Sequence, residues 1–394
     1  MQTQKQTLRL TVFYAYTTMV LLGAVFIIVN STQGRLAESY GVAANRISLM
    51  ISCMGVGRLL IQIICGALSD RFGRRTLVLV GLIGMAVFFV AMPMVRSLTG
   101  GMLMCVLGGL SYGMTNTTML ALIFDCYAGS GKTQIAQVRI QTVYALGGIL
   151  VPFGASLLLA GGMPWKYLYW ICGLATLVMI FAHHFITFPP VAVRTAQENG
   201  YVRTPRMSRE GLLLILATFC LYGAHTIGMT WITTLAASRT QMTSADAVRV
   251  LSIFSLGALL GSLVIMGLMH RFSNLQMLTW LPVLAMVFFA VCTLTSRAWL
   301  FSVCTLLAGM CTGSLFNLLV GVGGYMFPKA SGTISGVLTT ASGSASLVLP
   351  ALTGWMLDTI SVQKMFCTAF VLLLLGITSV LLLRRRDRLL HQQL

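Results

Sequence analysis

Arg58 is the residue whose chemistry is hardest to explain as packing. It stands inside a long apolar run, twelve residues before Asp70. On a helix that separation is about 18 Å, which puts Arg58 near the middle of a hydrocarbon layer about 30 Å thick. A guanidinium at that depth costs at least about 2.5–3.5 kcal/mol on insertion, and its fork geometry suits carboxylates and phosphates. The eight acids, Glu38, Asp70, Asp125, Glu198, Glu210, Asp246, Asp358 and Asp387, all fall in loops or at the ends of apolar runs. None of these positions is at the depth of Arg58. Either backbone carbonyls and hydroxyls hold the guanidinium, or an incoming anion does, and we favour the anion.

His225 lies at a similar depth in a later run and is the second candidate. It could bind a ligand or titrate, since histidine changes charge near neutral pH; a hydrogen bond to a neighbouring helix is the plainer alternative. Other polar residues in mid-run could complete a cavity: Tyr112, Asn116, Gln141, Tyr144, Tyr222, Thr226 and Asn317. Tyr112 and Asn116 are four apart and share a helix face, as do Tyr222, His225 and Thr226. The bland reading of each is polar glue between helices. Two apparent motifs carry no chemistry. Gly131-Lys132-Thr133 ends like a phosphate loop but has Cys126 where the leading glycine belongs. His183 and His184 are adjacent, so on a helix their side chains diverge, and no further metal ligand lies nearby in sequence.

The elements that hold these residues follow from composition. The chain is 57% hydrophobic and only 9% charged, against roughly 25% charged in a soluble domain, so it is a polytopic membrane protein. Its formal net charge of +18 reads as topology rather than as nucleic-acid binding. The ten cysteines are scattered and nearly all inside apolar runs, with no Cys-x-x-Cys pair, and read as small hydrophobes. Spans of about 20 apolar residues fall at 8–30, 46–69, 76–95, 98–124, 136–160, 166–188, 211–236, 247–269, 275–295, 298–326, 332–356 and 361–383. The first is too long for a signal-peptide core and reads as a retained span. Lysine and arginine concentrate on the side of both termini, in Lys5, Arg9, the 71–75 cluster, Arg203, Arg206, Arg209 and Arg384 to Arg386. By the positive-inside rule both termini are cytoplasmic.

One long polar connection, 189–210, divides an N-terminal bundle (1–188) from a C-terminal bundle (211–383) followed by a short tail (384–394). The halves are related at an offset of 200: Ser52, Gly57, Leu59 and Leu60 fall on Ser252, Gly257, Leu259 and Leu260, and Gly109 and Gly113 fall on Gly309 and Gly313. At this offset Arg58 falls on Ala258, His225 on Val25, Asp70 on His270 and Arg74 on Asn274. The candidate residues are therefore departures from the repeat. Small residues every fourth position, as in Gly109-x-x-x-Gly113 and Gly332-x-x-x-Gly336, predict close helix crossings.

The stretch Gly66-Ala67-Leu68-Ser69-Asp70-Arg71-Phe72-Gly73-Arg74-Arg75 reads as a surface loop between spans 2 and 3. It resembles, position for position, the signature loop between helices 2 and 3 of the major facilitator superfamily. The resemblance implies an all-α fold of twelve membrane helices in two pseudo-symmetric six-helix bundles, with alternating access to a site near the midplane. It also implies that spans 1, 4, 7 and 10 line the cavity, which raises Tyr112, Asn116, Tyr222, His225 and Asn317 beside Arg58 as substrate-binding residues. Asp70, Arg71, Gly73, Arg74 and Arg75 become a gate on the cytoplasmic side, latched with Asp125 at the end of span 4. Drug-proton antiporters of this superfamily have an arginine in span 4 and a Gly-Pro pair in span 5; here the arginine is absent and Val151 precedes Pro152. The expectation is a monomeric inner-membrane permease for a small organic anion, without cofactor or metal, and not an enzyme. Protons are a candidate coupling ion, and a sugar or polyol is the alternative cargo.

Overall fold

The computed structural model of the chain describes residues 2–127, 133–189, 207–269, 271–327 and 331–391. Residues 190–206 of the expected linker, Gly131 and Lys132, His270 and the end of the tail lie outside the described residues, as do the side chains of Asp70, Arg71 and Gln141. The described residues are helical and contain no strand. In order the helices are α1 (Gln2–Ser31), α2 (Gln33–Tyr40), α3 (Ser48–Phe72), α4 (Arg74–Ala91), α5 (Leu98–Cys126), α6 (Thr133–Ala160) and α7 (Lys166–His183). They continue as α8 (Leu212–Arg239), α9 (Ser244–Leu268), α10 (Asn274–Leu294), α11 (Ala298–Thr312), α12 (Leu315–Met326), α13 (Ser331–Met356), α14 (Val362–Met365) and α15 (Cys367–His391). Among the described residues, twelve segments are long and apolar enough to cross a membrane. Large apolar side chains such as Phe181, Phe185, Trp280 and Leu294 stand on the outside. In water such a surface would aggregate, whereas in hydrocarbon it faces its own solvent.

Contacts divide the chain into two compact units, Met1–Val193 with Ser244–Ser252, and Arg194–Thr243 with Ile253–Leu394. In the first unit α3 and α5 cross so closely that only glycine fits. A Cβ on Gly57 would stand 2.1 Å from the Val106 carbonyl oxygen, and one on Gly109 2.0 Å from that of Met54. Likewise α1 and α6 cross at Gly23 and Gly147, where a Cβ on Gly147 would stand 2.1 Å from the Val20 carbonyl oxygen. The small-residue spacing thus does what it does in membrane helices generally, letting backbones touch where hydrophobic burial supplies no drive.

Three elements differ from the sequence expectation. The charged stretch 66–75 is not a loop: α3 runs to Phe72 and α4 begins at Arg74, so Gly73 alone makes the turn. Its φ of 79° is left-handed, a conformation that costs glycine little and other residues more. The span expected at 298–326 is broken at Gly313 and Ser314 between α11 and α12, a Gly/Ser pair of the kind that kinks long helices. The helix of the last span also continues past residue 383, through the arginine run, to His391.

Candidate functional site

The α3–α5 crossing positions the first cluster. Because Gly109 and Gly113 present no side chains, α5 lies against the backbone of α3 at Met54 and Arg58, and Tyr112, between them, is carried to the Arg58 side chain. The guanidinium carbon of Arg58 sits 5.3 Å from the centre of the Tyr112 ring, within the range of a cation–π contact. Both residues are only 5% exposed. The Tyr112 hydroxyl donates to that of Tyr144 on α6 at 3.3 Å, and the Tyr112 ring meets Phe26 on α1 at 5.6 Å. Four helices therefore converge on one buried cation with an aromatic lining. Such a site can bind an anion through the guanidinium and stack a planar or ring-shaped ligand body on the aromatics. Asn116, one turn from Tyr112 on α5, is half-buried.

The second cluster is built around His225 on α8. Its Nδ1 is 3.0 Å from the Thr312 hydroxyl oxygen, and that hydroxyl donates its own proton to the Ala308 carbonyl at 2.9 Å. With the threonine proton so engaged, Nδ1 is the donor of this bond. The imidazole lies flat on Phe254, with ring centres 5.3 Å apart and planes 28° apart. Tyr222, three residues earlier, has its ring centre 6.1 Å from His225 and meets Phe316 edge-on at 5.6 Å. Thr312 is the last residue of α11, so the helix break sits beside the histidine's partner. Asn317, on α12 beyond the break, is exposed. The Thr312 partner and the Phe254 stack are invisible to periodicity, although Thr312 is the residue that the offset of 200 sets against Tyr112.

Two of the residues expected in the gate, Arg74 and Asp125, come together beside Gly73. Arg74, in the first turn of α4, forms an ion pair through Nη1 with Asp125 in the last turn of α5, and the same Nη1 donates to the Ala121 carbonyl at 2.6 Å. The Asp125 side chain is fully shielded from solvent. Arg75 Nη2 reaches the His184 carbonyl at 3.3 Å, tying α4 to the end of α7. Nearby, His183 Nδ1 meets the Tyr14 hydroxyl at 2.8 Å. Sequence adjacency dismissed this histidine as a metal ligand but missed it as a buried tie between α7 and α1.

Sequence reasoning also missed Gln62, one turn beyond Arg58 on α3. Its side-chain Oε1 and Nε2 are both buried and have no hydrogen-bond partner. The i,i+4 spacing from Arg58 was the available signal.

Comparison with known proteins agrees with this architecture. The family model of the Major Facilitator Superfamily matches residues 10–280 and 214–393. Among curated relatives, an uncharacterised MFS-type transporter of Bacillus subtilis (strain 168), YfkL, is 24% identical over 367 residues, 92% of each chain. The inner membrane transport protein YdiN of Escherichia coli (strain K12) is 23% identical over 387 residues, covering 95% of this chain and 89% of that one. Among solved structures, the xylose transporter XylE of E. coli, in a partially occluded inward-open conformation, superposes with a TM-score of 0.72 at 12% identity. That match covers 96% of this chain and 99% of XylE, and carries the fold alone. A signature turn at Gly73, twelve spans and a family model that covers nearly the whole chain together make this protein a member of the Major Facilitator Superfamily, a multi-pass membrane transporter rather than an enzyme.

Proposed function

We propose that this transporter moves a small organic anion, a carboxylate, through the cell inner membrane by alternating access, as a monomer with both termini cytoplasmic. The single observation that supports the cargo is Arg58: a guanidinium 5% exposed at mid-span depth, set over the Tyr112 ring. The matching position in the other half of the chain is Ala258, at an equally close helix crossing. Packing does not require the arginine, so its insertion cost is retained for another reason, and binding an anion is the use its chemistry fits. Tyr112, Asn116, Tyr222, His225 and Asn317 belong to the substrate pathway, with His225 a candidate carrier of a coupling proton. The relative YdiN is named as an inner membrane transport protein, which agrees with the assigned membrane. The connection 189–210 joins the bundles 1–188 and 211–383, and 384–394 forms the cytoplasmic tail. Asp70 and Arg71 work with the Arg74–Asp125 pair as the gate.

A sugar or polyol cargo is the rival reading, and the aromatic lining from Phe26, Tyr112 and Tyr144 favours it, because rings of either kind stack on aromatic faces. A ligand screen by thermal shift on the purified protein separates the two. Carboxylates should stabilise the wild type, while Arg58→Ala, equally well expressed, responds to none. Stabilisation by sugars alone, identical in wild type and Arg58→Ala, would sink the anion.

A further inference from the structure

We infer that Gln62 is a second anchor beside Arg58 and that it selects a carboxylate bearing a hydroxyl group; the inference rests on the anion reading of Arg58. Residues four apart on a helix are neighbours, with Cβ atoms about 5–6 Å apart, so Arg58 and Gln62 present their long polar side chains to one side of α3. That side is not the lipid side. Among the described residues of this stretch Leu60 and Ile64 are the exposed ones, at 55% and 48%, and at about 100° per residue Gln62 points about 160° from each. It lies on the opposite face, and the residue as a whole is half-buried.

The amide is buried in an unusual condition. Both Oε1 and Nε2 are shielded from solvent, and neither has a hydrogen-bond partner. Buried polar groups in folded proteins are nearly always satisfied, and an exception calls for an explanation. The repeat supplies a control. At the offset of 200, Gln62 falls on Ser262. The Ser262 hydroxyl is satisfied inside the protein, by the Ala258 carbonyl at 2.9 Å and the Ser314 hydroxyl at 2.9 Å. The residue matching Ser314 is Met114, which has no hydroxyl or amide to offer. One half of the chain has thus closed this position on itself, and the other has left a complete amide open one turn from its buried cation.

An open amide offers two N–H donors and one carbonyl acceptor. A hydroxyl donates and accepts at once, so it can engage both ends of the amide while Arg58 holds the carboxylate. A ligand that lacks the hydroxyl leaves the amide as it is now, and sites of that kind discriminate strongly because the unpaired group remains buried.

The test uses the full-length protein in lipid nanodiscs and three matched probe pairs: malate with succinate, lactate with propionate, and gluconate with hexanoate. Binding is measured by calorimetry. Wild type should bind the hydroxylated member of at least one pair about tenfold or more tightly than its deoxy partner. Gln62→Leu, close in volume and without a polar group to strand, should bring that ratio to about one while leaving the affinity for the deoxy member unchanged. It should also raise the melting temperature of the ligand-free protein, a readout that misfolding would reverse. Arg58→Ala should lose both members. An unchanged ratio in Gln62→Leu overturns the inference, and so does a wild-type ratio near one with binding that still depends on Arg58; in both cases the anion reading stands. If no member of any pair binds wild type, the anion reading falls and this inference falls with it.

Discussion

The two halves of this transporter share a scaffold and differ in what they hang on it. A Cβ on Gly57 would meet the carbonyl of Val106 at 2.1 Å, and one on Gly257 would meet that of Leu306 at 2.0 Å. Gly109 faces the carbonyl of Met54 as Gly309 faces that of Phe254, and Gly113 faces Arg58 as Gly313 faces Ala258. Each partner lies 200 residues from its counterpart, so the same crossing is built twice. The side chains around it have diverged: Arg58, Gln62 and Tyr112 stand where the other half has Ala258, Ser262 and Thr312. One crossing holds a buried cation against an aromatic ring, and the other holds a histidine against a threonine. Backbone packing is therefore independent of the polar groups, and the polar groups are where the work of the two halves has separated.

The comparison is most exposed at Arg58. Removing one partner of a buried hydrogen-bonded charge pair costs about 2–5 kcal/mol, so Arg58→Ala should reduce carboxylate uptake about 100-fold or more with membrane insertion intact. Arg58→Lys should fail as well, since a point charge does not replace a planar fork. Thr312→Ala, at the position matching Tyr112, should reduce uptake only a few-fold. Equal losses for Arg58→Ala and Thr312→Ala in well-expressed protein would mean that the two crossings bind cargo alike.

The gate tests the same asymmetry in stability. Arg74 pairs with a shielded Asp125, whereas the matching positions carry Asn274 and Tyr325. Breaking a buried pair by removing one partner costs about 3–5 kcal/mol. Arg74→Ala or Asp125→Asn should therefore lower the melting temperature markedly, while Asn274→Ala changes it little. The double variant Arg74→Leu/Asp125→Leu should recover most of the stability and still transport poorly, because an apolar pair holds the helices without releasing them. Normal transport by the double variant would reduce the pair to a structural tie.

Much of this was legible in the residues alone. Span number and order follow from apolar length, and the family follows from the ten residues ending at Arg75. The Arg74–Asp125 pair is the contact that the resemblance implied for one of the 66–75 arginines. The partner of each polar group was not legible, because it depends on how a helix is rotated against neighbours that are far away in sequence. Tyr112 as the seat of Arg58, Thr312 as the tether of His225 and Tyr14 as that of His183 are choices of this kind. In the residues alone Gln62 is one more amide in a span, as easily glue as site; only its buried, open state distinguishes it. The break at Gly313 and Ser314 was hidden for a related reason. Gly113 aligns with Gly313, yet α5 is continuous through it, so the glycine alone does not break the helix.

A smaller effect probes the shared scaffold. Gly109→Ala and Gly309→Ala place a methyl group at nearly the same distance from a backbone carbonyl, 2.0 and 2.1 Å. Overpacking of this sort costs about 1–3 kcal/mol, and the two variants should lose similar amounts in thermal melts. A large difference between them would show that one crossing yields where the other does not.

The smallest expected change is at His225. Its Nδ1–H is committed to Thr312 and its ring is stacked on Phe254, so the nitrogen that can take a proton is Nε2. Losing one hydrogen bond costs about 0.5–1.5 kcal/mol, so if His225 serves only as packing, His225→Ala should keep maximal uptake within a few-fold of wild type. Its signature is the pH profile instead. If this histidine carries the coupling proton, the dependence of uptake on pH should flatten in His225→Ala and persist in Thr312→Val, which removes the tether but keeps the ring. Superimposable profiles for wild type and His225→Ala would take the proton away from this residue. The second crossing would then hold His225 only as packing, and the division of labour between the halves would rest on Arg58 alone.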